Sequence, residues 1–201
     1  MGILEGMGAT RKRPQMRFAS PEHLATWKAT GAFPVIHDEI FGIIMAEALG
    51  QSFCDLGSCY GLLMERLQKA MPGATVVGIE ADPKTIEAGK LAGVRGTVLK
   101  LAVDRITMTA ATEFMSQHNV TVLVARRVFP EIWGEDLDGG REFARLLYNI
   151  GVSEIFLQGR LASERTVNSL GSVDREVALV SDCFSPVFIR GQIAYLRRKR
   201  T

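Results

Sequence analysis

From residue 51 onward the sequence alternates short apolar runs with amphipathic stretches, and this alternation restricts the fold more than any other feature. Five strand-like runs read SFCDL, ATVVGIE, GTVLKLAV, VTVLVARRVF and SEIFLQG, and the stretches between them read GLLMERLQKAM, PKTIEAGKLAG, TAATEFMSQ and GGREFARLLYNI. In the last of these, Phe143, Leu147 and Ile150 recur at helical spacing. Strands that are apolar throughout and are separated by helices are typical of a parallel sheet covered on both faces. The pattern therefore predicts a doubly wound α/β domain.

The end of the chain departs from this alternation. After the helix-like stretch SVDREVALVSDCF come two strand-like runs, PVFIRG and QIAYLRRK, with only a turn centred on Gly191 between them. Such a short connection suits a hairpin and cannot hold a parallel crossover. The seven runs together predict a seven-stranded sheet that is mostly parallel and ends in an antiparallel C-terminal hairpin.

The residues before this sheet have a different character. Residues 1–19 are rich in glycine and basic side chains and read as a flexible, basic N-terminus. Ser20 and Pro21 form a helix start, with a capping hydroxyl followed by a proline at the first helical position, and that helix is expected to end at about residue 28. A second helix is expected near residues 35–49, where isoleucines recur at helical spacing. We therefore divide the chain into residues 1–19, N-terminal helices over 20–50 and a ligand-binding region over 51–201, within a single domain overall.

Composition predicts a soluble protein. The 201 residues carry a net charge of +2, and no apolar run approaches the roughly 18 residues of a membrane span, so a membrane partner is not expected. Cys54, Cys59 and Cys183 form no C-x-x-C pair, so neither a disulfide framework nor a metal site is expected, and a reducing, cytoplasmic compartment fits best. The basic clusters at residues 11–13 and 197–200 are read first as solvated tails, with nucleic-acid contact as the alternative.

A loop of small residues and a later acid point to the ligand. Residues 57–61 follow the first predicted strand, and in doubly wound sheets ligands bind outside the carboxyl ends of the strands. Glu80 ends the next run, because Asp82 and Pro83 read as the cap and the first residue of the following helix. An acid at that strand end reaches the same crevice and can accept hydrogen bonds from both hydroxyls of a ribose. The two features argue for a ligand that contains a nucleoside.

The loop lacks the patterns that bind the commonest nucleotides. Aligned on Gly57, the dinucleotide fingerprint G-x-G-x-x-G would place glycines where this sequence has Cys59 and Leu62. The P-loop pattern G-x-x-x-x-G-K-[ST] is absent as well. NAD and FAD are therefore disfavoured, and the ordinary route to ATP or GTP binding is missing.

The residues that remain resemble a known family. DLGSCYG followed by GIEADP is similar to the nucleotide motif of class I S-adenosylmethionine-dependent methyltransferases, whose usual form is acid-x-G-x-G-x-G, with Cys59 in place of the middle glycine. The resemblance covers residues 35–200 in element order, including the terminal hairpin, which in this family inserts the seventh strand into the sheet. It implies a Rossmann-like S-adenosylmethionine-binding domain over residues 51–201 and methyl transfer as the activity.

The resemblance also implies which residues contact S-adenosylmethionine. They are Asp55, Gly57, Ser58, Cys59, Gly61, Glu80 and Asp104. The loop would pass beneath the methionine part of the cofactor, with Asp55 near its amino group. Glu80 would hold the ribose hydroxyls, and Asp104, after the third strand-like run, would lie near the adenine amine. The alternative is that Asp55 and Glu80 only cap helices or form salt bridges.

The reacting groups are expected after the fourth strand-like run, in ARRVFPEIWGED. This segment lacks the Pro-Pro-aromatic motif of base amino methylation, a cysteine nucleophile, and a set of carboxylates at the strand end to bind Mg²⁺. Glu131 is the first acid after the strand and is assigned as the base, while Arg126 or Arg127 would orient an anionic substrate. In the plainer interpretation Glu131 opens a loop and the two arginines face solvent.

Two further questions stay open at this point. Phe129, Trp133, Trp27, Phe33 and His37 could cover the cofactor, although each is more often a core residue. The sequence does not identify the methyl acceptor, which can be a small molecule, a protein or a nucleic acid, nor the oligomeric state. Since methyl transfer from a sulfonium often needs only proximity and in-line orientation, the missing motif does not exclude activity. The alternative is a non-catalytic ligand-binding or interaction protein with a degenerate methyltransferase fold.

Overall fold

The computed structural model describes residues 35–134, 136–159 and 172–200. The strands are β1 (Ser52–Leu56), β2 (Thr75–Glu80), β3 (Thr97–Lys100), β4 (Val122–Arg126), β5 (Glu154–Gln158), β6 (Phe184–Arg190) and β7 (Ile193–Arg198). The helices are α1 (Val35–Glu47), α2 (Leu62–Ala70), α3 (Pro83–Leu91), α4 (Met108–Gln117), α5 (Phe129–Ile132), α6 (Leu137–Asn149) and α7 (Val173–Val180). None of the helices in the described ranges has the length and apolar character needed to span a membrane.

The predicted second N-terminal helix is present as α1. The predicted N-terminus over residues 1–19 and the helix over residues 20–28 lie outside the described residues, as do Trp27, Phe33 and the side chain of His37. The basic cluster at residues 197–200 is exposed, and its first two residues belong to β7, so they are not part of a tail. Nucleic-acid contact by this cluster stays a prediction.

The sheet has the predicted seven strands, in the order β3-β2-β1-β4-β5-β7-β6. Strands β1 to β5 are parallel, and β7 pairs antiparallel with both β5 and β6. The terminal hairpin turns at Gly191, whose φ of 55° is in the region that glycine adopts easily. The direction of chain progression reverses between β1 and β4, so the carboxyl ends of these two strands flank the crevice in which ligands bind to such sheets.

Each face of the sheet is covered by helices, as the continuously apolar strands predict. On one face Phe53, Val122 and Tyr195 pack in a cluster with Ile40 of α1 and Leu63 of α2. The other face packs against α4, α6 and α7 in a separate cluster. Strand β5 is buried along its whole length, which explains why its sequence carries no polar alternation.

Strand β4 is shorter than the sequence predicts. The apolar run suggested a strand that reaches Phe129, but β4 ends at Arg126. Arg127 has a φ of 57°, which breaks the extended conformation, and its N–H donates to the carbonyl of Gln158 at 2.6 Å. The chain then forms the short helix α5, and Phe129 is fully buried there. The run stays apolar because this helix also faces the core.

A buried carboxylate links several segments at the amino-terminal ends of the parallel strands. Glu154, the first residue of β5, is 2% exposed and accepts hydrogen bonds from the N–H groups of Leu49 and Gly50, at 3.0 and 2.7 Å. It also accepts a short hydrogen bond from the hydroxyl of Tyr195. These bonds hold the connection between α1 and β1 against β5 and β7, far from the carboxyl ends of the parallel strands.

Candidate functional site

The loop between β1 and α2 stays attached to β2 before it turns into the helix. The N–H groups of Gly57 and Ser58 both donate to the carbonyl of Ile79, at 2.8 and 3.1 Å. On its other side the loop is pressed against α3, where a Cβ added to Gly89 would lie 2.5 Å from the carbonyl oxygen of Tyr60. The loop is therefore fixed between a strand and a helix.

Every second residue of this loop has a left-handed backbone. The φ angles are 72° at Gly57, 53° at Cys59 and 76° at Gly61. A Cβ at Gly57 would lie 2.8 Å from a methyl of Val128, and one at Gly61 would lie 2.9 Å from a methyl of Val94. Cys59 thus has a left-handed conformation that glycine adopts easily, at a cost of about 1–2 kcal/mol for a residue with a Cβ.

Glu80 lies at the end of β2, as predicted, and its carboxylate binds the backbone of the loop. Its side chain is nearly buried, with one carboxylate oxygen accepting from the N–H of Cys59 at 2.8 Å and the other from the N–H of Asp82 at 2.9 Å. Asp82 caps α3 through the N–H of Lys84, so the predicted start of that helix at Pro83 is confirmed. A carboxylate has about four acceptor positions, so Glu80 can accept two more hydrogen bonds after binding the loop and the cap.

Asp55 is buried beside Glu80 on the neighbouring strand. It is 1% exposed, and neither carboxylate oxygen has a hydrogen-bond partner among the described residues. The nearest cation is Arg126 at the end of β4, with 3.7 Å between Nη2 and Oδ2. Burial raises the pKa of Asp55 to about 6, with Arg126 opposing the shift and Glu80 adding to it. Asp55 is therefore ionised at neutral pH and has unused capacity to accept hydrogen bonds.

The loop carries one hydroxyl and one thiol side chain, those of Ser58 and Cys59. The hydroxyl of Ser58 is buried and has no hydrogen-bond partner in the described part of the chain. The pKa of the Cys59 thiol is raised to about 11, chiefly by burial. Burial also raises the pKa of the Cys54 thiol on β1. Both cysteines are therefore protonated at neutral pH and are poor nucleophiles.

Asp104 follows β3, as predicted, and organises the turn that leads into α4. Its Oδ1 accepts from the N–H groups of Ile106 and Thr107, both at 2.9 Å. The hydroxyl of Thr107 donates to the carbonyl of Ala102 at 2.6 Å, which closes the turn. These contacts assign Asp104 a structural role, and its predicted contact with an adenine amine stays a prediction.

The three charged residues that the sequence singled out at and after the end of β4 have different surroundings. Arg126 points inward to Asp55, with its side chain only 10% exposed, which contradicts the interpretation that it faces solvent. Arg127 donates from Nη2 to the side-chain oxygen of Gln192 at 2.8 Å, on the β5 and β7 side. Glu131 is exposed on α5, whereas Asp55 is buried between the strand ends. The roles of Glu131 as base and Arg126 as substrate ligand stay predictions.

Two aromatic residues considered as a cover for the cofactor belong to the core. Phe129 is fully buried and Trp133 is 3% exposed. Both pack against Phe143 of α6, with ring centroids 6.4 and 5.3 Å apart. The prediction of a cover is therefore wrong for Phe129 and Trp133, because α5 and its C-cap residue turn both rings into the core against α6.

Glu176 of α7 is a further buried acid that no sequence pattern singled out. Glu176 of α7 is 1% exposed, and its carboxylate oxygens have no hydrogen-bond partner among the described residues. A Cβ added to Gly159, just after β5, would lie 3.1 Å from Glu176 Oε1. Burial raises the pKa of Glu176 to about 9, with Arg127 opposing the shift. The available signal was spacing, since Glu176 shares the apolar stripe of Val173 and Val180 on α7.

Among the described residues, no group of three or more histidine, cysteine, aspartate or glutamate side chains is arranged to hold a metal ion.

Comparison with known proteins gives matches in structure alone. No protein-family model matches the sequence, and a search of curated proteins finds no match. The structure is similar to WbdD, described as a bifunctional kinase-methyltransferase, with a TM-score of 0.61 and 15% identity over 90% of this chain and 43% of that chain. The chain thus spans less than half the length of WbdD.

Two other solved structures are similar over most of this chain. The N-methyltransferase NodS from Bradyrhizobium japonicum WM9 has a TM-score of 0.59 at 13% identity, covering 82% of this chain and 94% of that chain. The pyocyanin biosynthetic protein PhzM has a TM-score of 0.55 at 16% identity, covering 80% of this chain and 54% of that chain. Together with the strand order, these similarities show that the chain has the fold of class I methyltransferases.

Proposed function

We propose that this protein binds S-adenosylmethionine at the carboxyl ends of β1 and β2 and transfers its methyl group to an acceptor. The observation that carries the proposal is the loop over residues 57–61, which alternates left-handed residues and lies between the two buried carboxylates of Asp55 and Glu80. The similarity to methyltransferases of known structure supports the same conclusion.

The chemistry of the site fits this cofactor. Asp55 is anionic at neutral pH and its oxygens lack hydrogen-bond partners among the described residues, so it suits an ammonium group. Glu80 has acceptor capacity left for ribose hydroxyls after binding two N–H groups. Cys59 and Leu62 stand where a dinucleotide-binding loop has its second and third glycines, and S-adenosylmethionine has no pyrophosphate that needs them. Asp104 would approach the adenine amine from the turn after β3.

When bound, S-adenosylmethionine supplies a sulfonium methyl group that a nucleophile attacks in line. Asp55, Glu80 and Asp104 would hold the cofactor in one orientation. An acceptor that enters beside β4 would then meet the methyl carbon with little further loss of translational and rotational entropy. A proton released by the acceptor can pass to solvent or to Glu131, which is exposed near the end of β4. The acceptor class is left open among small molecules, proteins and nucleic acids. Three free cysteines support a reducing, cytoplasmic location.

Methyl transfer can be tested without knowing the acceptor. The protein is incubated with S-adenosylmethionine labelled in its methyl group and with separate small-molecule, protein and nucleic-acid fractions of a cell extract. We expect label in one fraction, and much less label with Glu80→Gln. Glu113→Gln is the matched control, because Glu113 is exposed on α4 and outside the site.

Two results would contradict the proposed activity. Cofactor binding with no label in any fraction would favour the non-catalytic alternative. Breakdown of the cofactor in the absence of any acceptor would instead identify an enzyme that cleaves S-adenosylmethionine. Product analysis by chromatography separates these outcomes.

A further inference from the structure

A second group of polar side chains lies at the carboxyl ends of β4 and β5, on the side of β4 away from β1. Arg127 follows β4, Gln192 lies in the turn between β6 and β7, and Glu176 belongs to the first turn of α7. The N–H of Arg127 donates to the carbonyl of Gln158 at 2.6 Å. The N–H of Gly159 donates to the carbonyl of Gln192 at 2.9 Å, so the ends of both strands and the hairpin turn are held together. We call the side chains of Arg127, Glu176 and Gln192 the β5-end cluster.

Two members of the β5-end cluster carry polar atoms without hydrogen-bond partners. Nη2 of Arg127 donates to Gln192 at 2.8 Å, but its Nε is buried and has no hydrogen-bond partner among the described residues. Glu176 is 1% exposed, and both of its carboxylate oxygens lack a partner in the same described ranges. Arg127 is the cation whose charge acts on Glu176, yet no hydrogen bond joins these two described side chains. Because buried polar groups normally have hydrogen-bond partners, a donor and acceptors left open side by side suit a bound molecule.

The backbone fixes the positions of these two side chains. Arg127 has a φ of 57°, a left-handed conformation that residues with a Cβ adopt mostly where the surrounding structure enforces it, often at ligand sites. A Cβ added to Gly159 would lie 2.6 Å from the backbone nitrogen of Val173 and 3.1 Å from Glu176 Oε1. The start of α7 thus lies directly against the end of β5. The fold therefore holds Arg127 and Glu176 near each other without a bond between them.

An amide carries the groups that the β5-end cluster lacks. Its carbonyl oxygen can accept from Nε of Arg127, and its N–H can donate to an oxygen of Glu176, which keeps an acceptor oxygen whether it is ionised or protonated. A carboxylate offers no donor to the Glu176 oxygens, and an ammonium offers no acceptor to Arg127. Resting on the proposed function, we propose that Arg127 and Glu176 bind an amide or lactam group of a small-molecule methyl acceptor, with Arg127 donating to its carbonyl and Glu176 accepting from its N–H.

The location of the cluster suits the acceptor. Strand β4 lies between β1 and β5, and neighbouring strands are about 4.8 Å apart, so the end of β5 lies about 10 Å from the end of β1. An acceptor whose amide occupies the cluster can therefore extend another of its atoms over β4 toward the methyl carbon. Since Glu176 and Nε of Arg127 are buried, the cluster suits a small molecule and not the surface of a folded protein or a duplex. Arg127 and Glu176 would determine which acceptor is held, while the methylated atom lies elsewhere in that molecule.

The test compares four small ligands on the protein saturated with S-adenosylhomocysteine. Benzamide presents a primary amide, 2-pyridone a lactam, benzoate an anion and benzylamine a cation. Dissociation constants are measured by NMR titration at millimolar ligand on the unaltered protein and on Arg127→Met, Glu176→Leu and Glu176→Gln. Glu142→Leu and Arg145→Met are the matched controls, because Glu142 is exposed on α6 and the side chain of Arg145 is 63% exposed.

The unaltered protein should bind benzamide or 2-pyridone at least about fivefold more tightly than benzoate and benzylamine, as expected for one additional hydrogen bond. The tighter of the two amides identifies a primary amide or a lactam as the recognised group. Arg127→Met and Glu176→Leu should each remove the preference, whereas Glu176→Gln should keep most of it, because its side-chain carbonyl still accepts from an N–H. The two control variants should bind all four ligands as the unaltered protein does. Affinity for S-adenosylhomocysteine should stay within about twofold in every variant, since the cluster lies outside the cofactor site.

Four outcomes would overturn the inference. Tighter binding of benzoate would mean that Arg127 alone selects the ligand, and tighter binding of benzylamine would mean that Glu176 alone does. Equal affinity for all four ligands, or binding of none, would mean that water alone completes the cluster. In the labelling experiment, label confined to the protein or nucleic-acid fraction would contradict a small-molecule acceptor.

The same measurements separate this inference from the proposed function. If S-adenosylhomocysteine does not bind to the unaltered protein, the proposed function fails and the inference fails with it. Binding of S-adenosylhomocysteine without a preference for the amides refutes the inference alone. Because this preference is measured first on the unaltered protein, a variant that fails to fold does not prevent the test.

Discussion

The left-handed backbone at Cys59 predicts an unusual order of stability between two small substitutions. At φ 53° a side chain with a Cβ costs about 1–2 kcal/mol, and glycine avoids this cost. Glycine loses about 0.5–1 kcal/mol through the greater freedom of its unfolded chain. With the middle of each range, the difference favours Cys59→Gly over Cys59→Ala by about 0.7 kcal/mol. Comparing the two variants with each other cancels the loss of the Cys59 sulfur, which packs near Tyr60 and Leu62.

The assay is urea unfolding of the two variants, followed by circular dichroism. For a chain of 201 residues the difference corresponds to roughly 1–4 °C in melting temperature, which is measurable. A second pair at Glu87, exposed in the middle of α3, is the control, because alanine should there be more stable than glycine by about 1 kcal/mol. The reversal between the two positions is the diagnostic result.

Greater stability of the alanine variant at both positions would contradict the left-handed conformation of Cys59. Cys59 would then not adopt the left-handed conformation, and the agreement with the acid-x-G-x-G-x-G pattern would be lost. If Cys59 is left-handed, Cys59→Gly should also bind S-adenosylhomocysteine at least as well as the unaltered protein does, because the N–H of residue 59 still reaches Glu80.

Three further predictions concern buried carboxylates. Below pH 6 the affinity for S-adenosylhomocysteine should fall by up to tenfold per pH unit, since the pKa of Asp55 is raised to about 6 and the neutral acid cannot pair with an ammonium. Calorimetry between pH 5 and 8 should show this slope in the unaltered protein and a flat, weak response in Asp55→Asn; a flat response in both would contradict it. The pKa of Glu176 is raised from 4.5 to about 9 in the folded protein, so the protonated form stabilises the fold below pH 4.5 and this contribution is lost as the pH rises toward 9, by up to about 1.4 kcal/mol per pH unit. Unfolding between pH 6 and 9 should show the loss in the unaltered protein but not in Glu176→Gln, and equal slopes would exclude Glu176 as its source. Glu154→Gln should lower the free energy of unfolding by about 1–3 kcal/mol, because an amide cannot accept from both backbone N–H groups and from Tyr195. Urea unfolding measures this loss, and Lys69→Gln, which removes an exposed ion pair, is its control. Lys69→Gln should change the free energy of unfolding by less than about 0.5 kcal/mol, and an equal loss in the two variants would contradict the role of Glu154.

The sequence predicted those elements whose limits are set by neighbouring residues in the chain. Strand β1 was expected over residues 52–56 and has these bounds, because a polar residue precedes it and Gly57 follows. Helix α3 begins at Pro83 because Asp82 caps it through local hydrogen bonds. The antiparallel hairpin was likewise visible from the short turn at Gly191.

The features that the sequence did not predict depend on residues distant in the chain. Strand β4 stops at Arg126, and the turn that follows is fixed by a hydrogen bond to Gln158, more than 30 residues away. The inward direction of Arg126 follows from the pairing of β4 with β1. The burial of Glu176 depends on the packing of α7 against Gly159. No local pattern contains this information.

In the candidate site, too, the sequence predicted the features that depend on neighbouring residues and not those that depend on distant ones. The positions of Asp55 and Glu80 at adjacent strand ends could be predicted, since both acids follow from strand limits. The bond from Glu80 to the N–H of Cys59 could not, because it requires the loop to fold back over β2. Cys59 stands where the acid-x-G-x-G-x-G pattern has a glycine, and only the structure shows that its φ of 53° lies in the left-handed region that glycine adopts easily.

The most direct test of the central claim is a calorimetric titration of S-adenosylhomocysteine into the unaltered protein and into Glu80→Gln, with NAD and ATP as comparison ligands. We expect saturable binding of S-adenosylhomocysteine alone, with stabilisation of the fold by about 2.7 kcal/mol at a ligand concentration one hundred times the dissociation constant. It also predicts a large loss of affinity in Glu80→Gln with the fold retained. No heat of binding and no rise in melting temperature at millimolar S-adenosylhomocysteine, or equal affinity in Glu80→Gln, would contradict it.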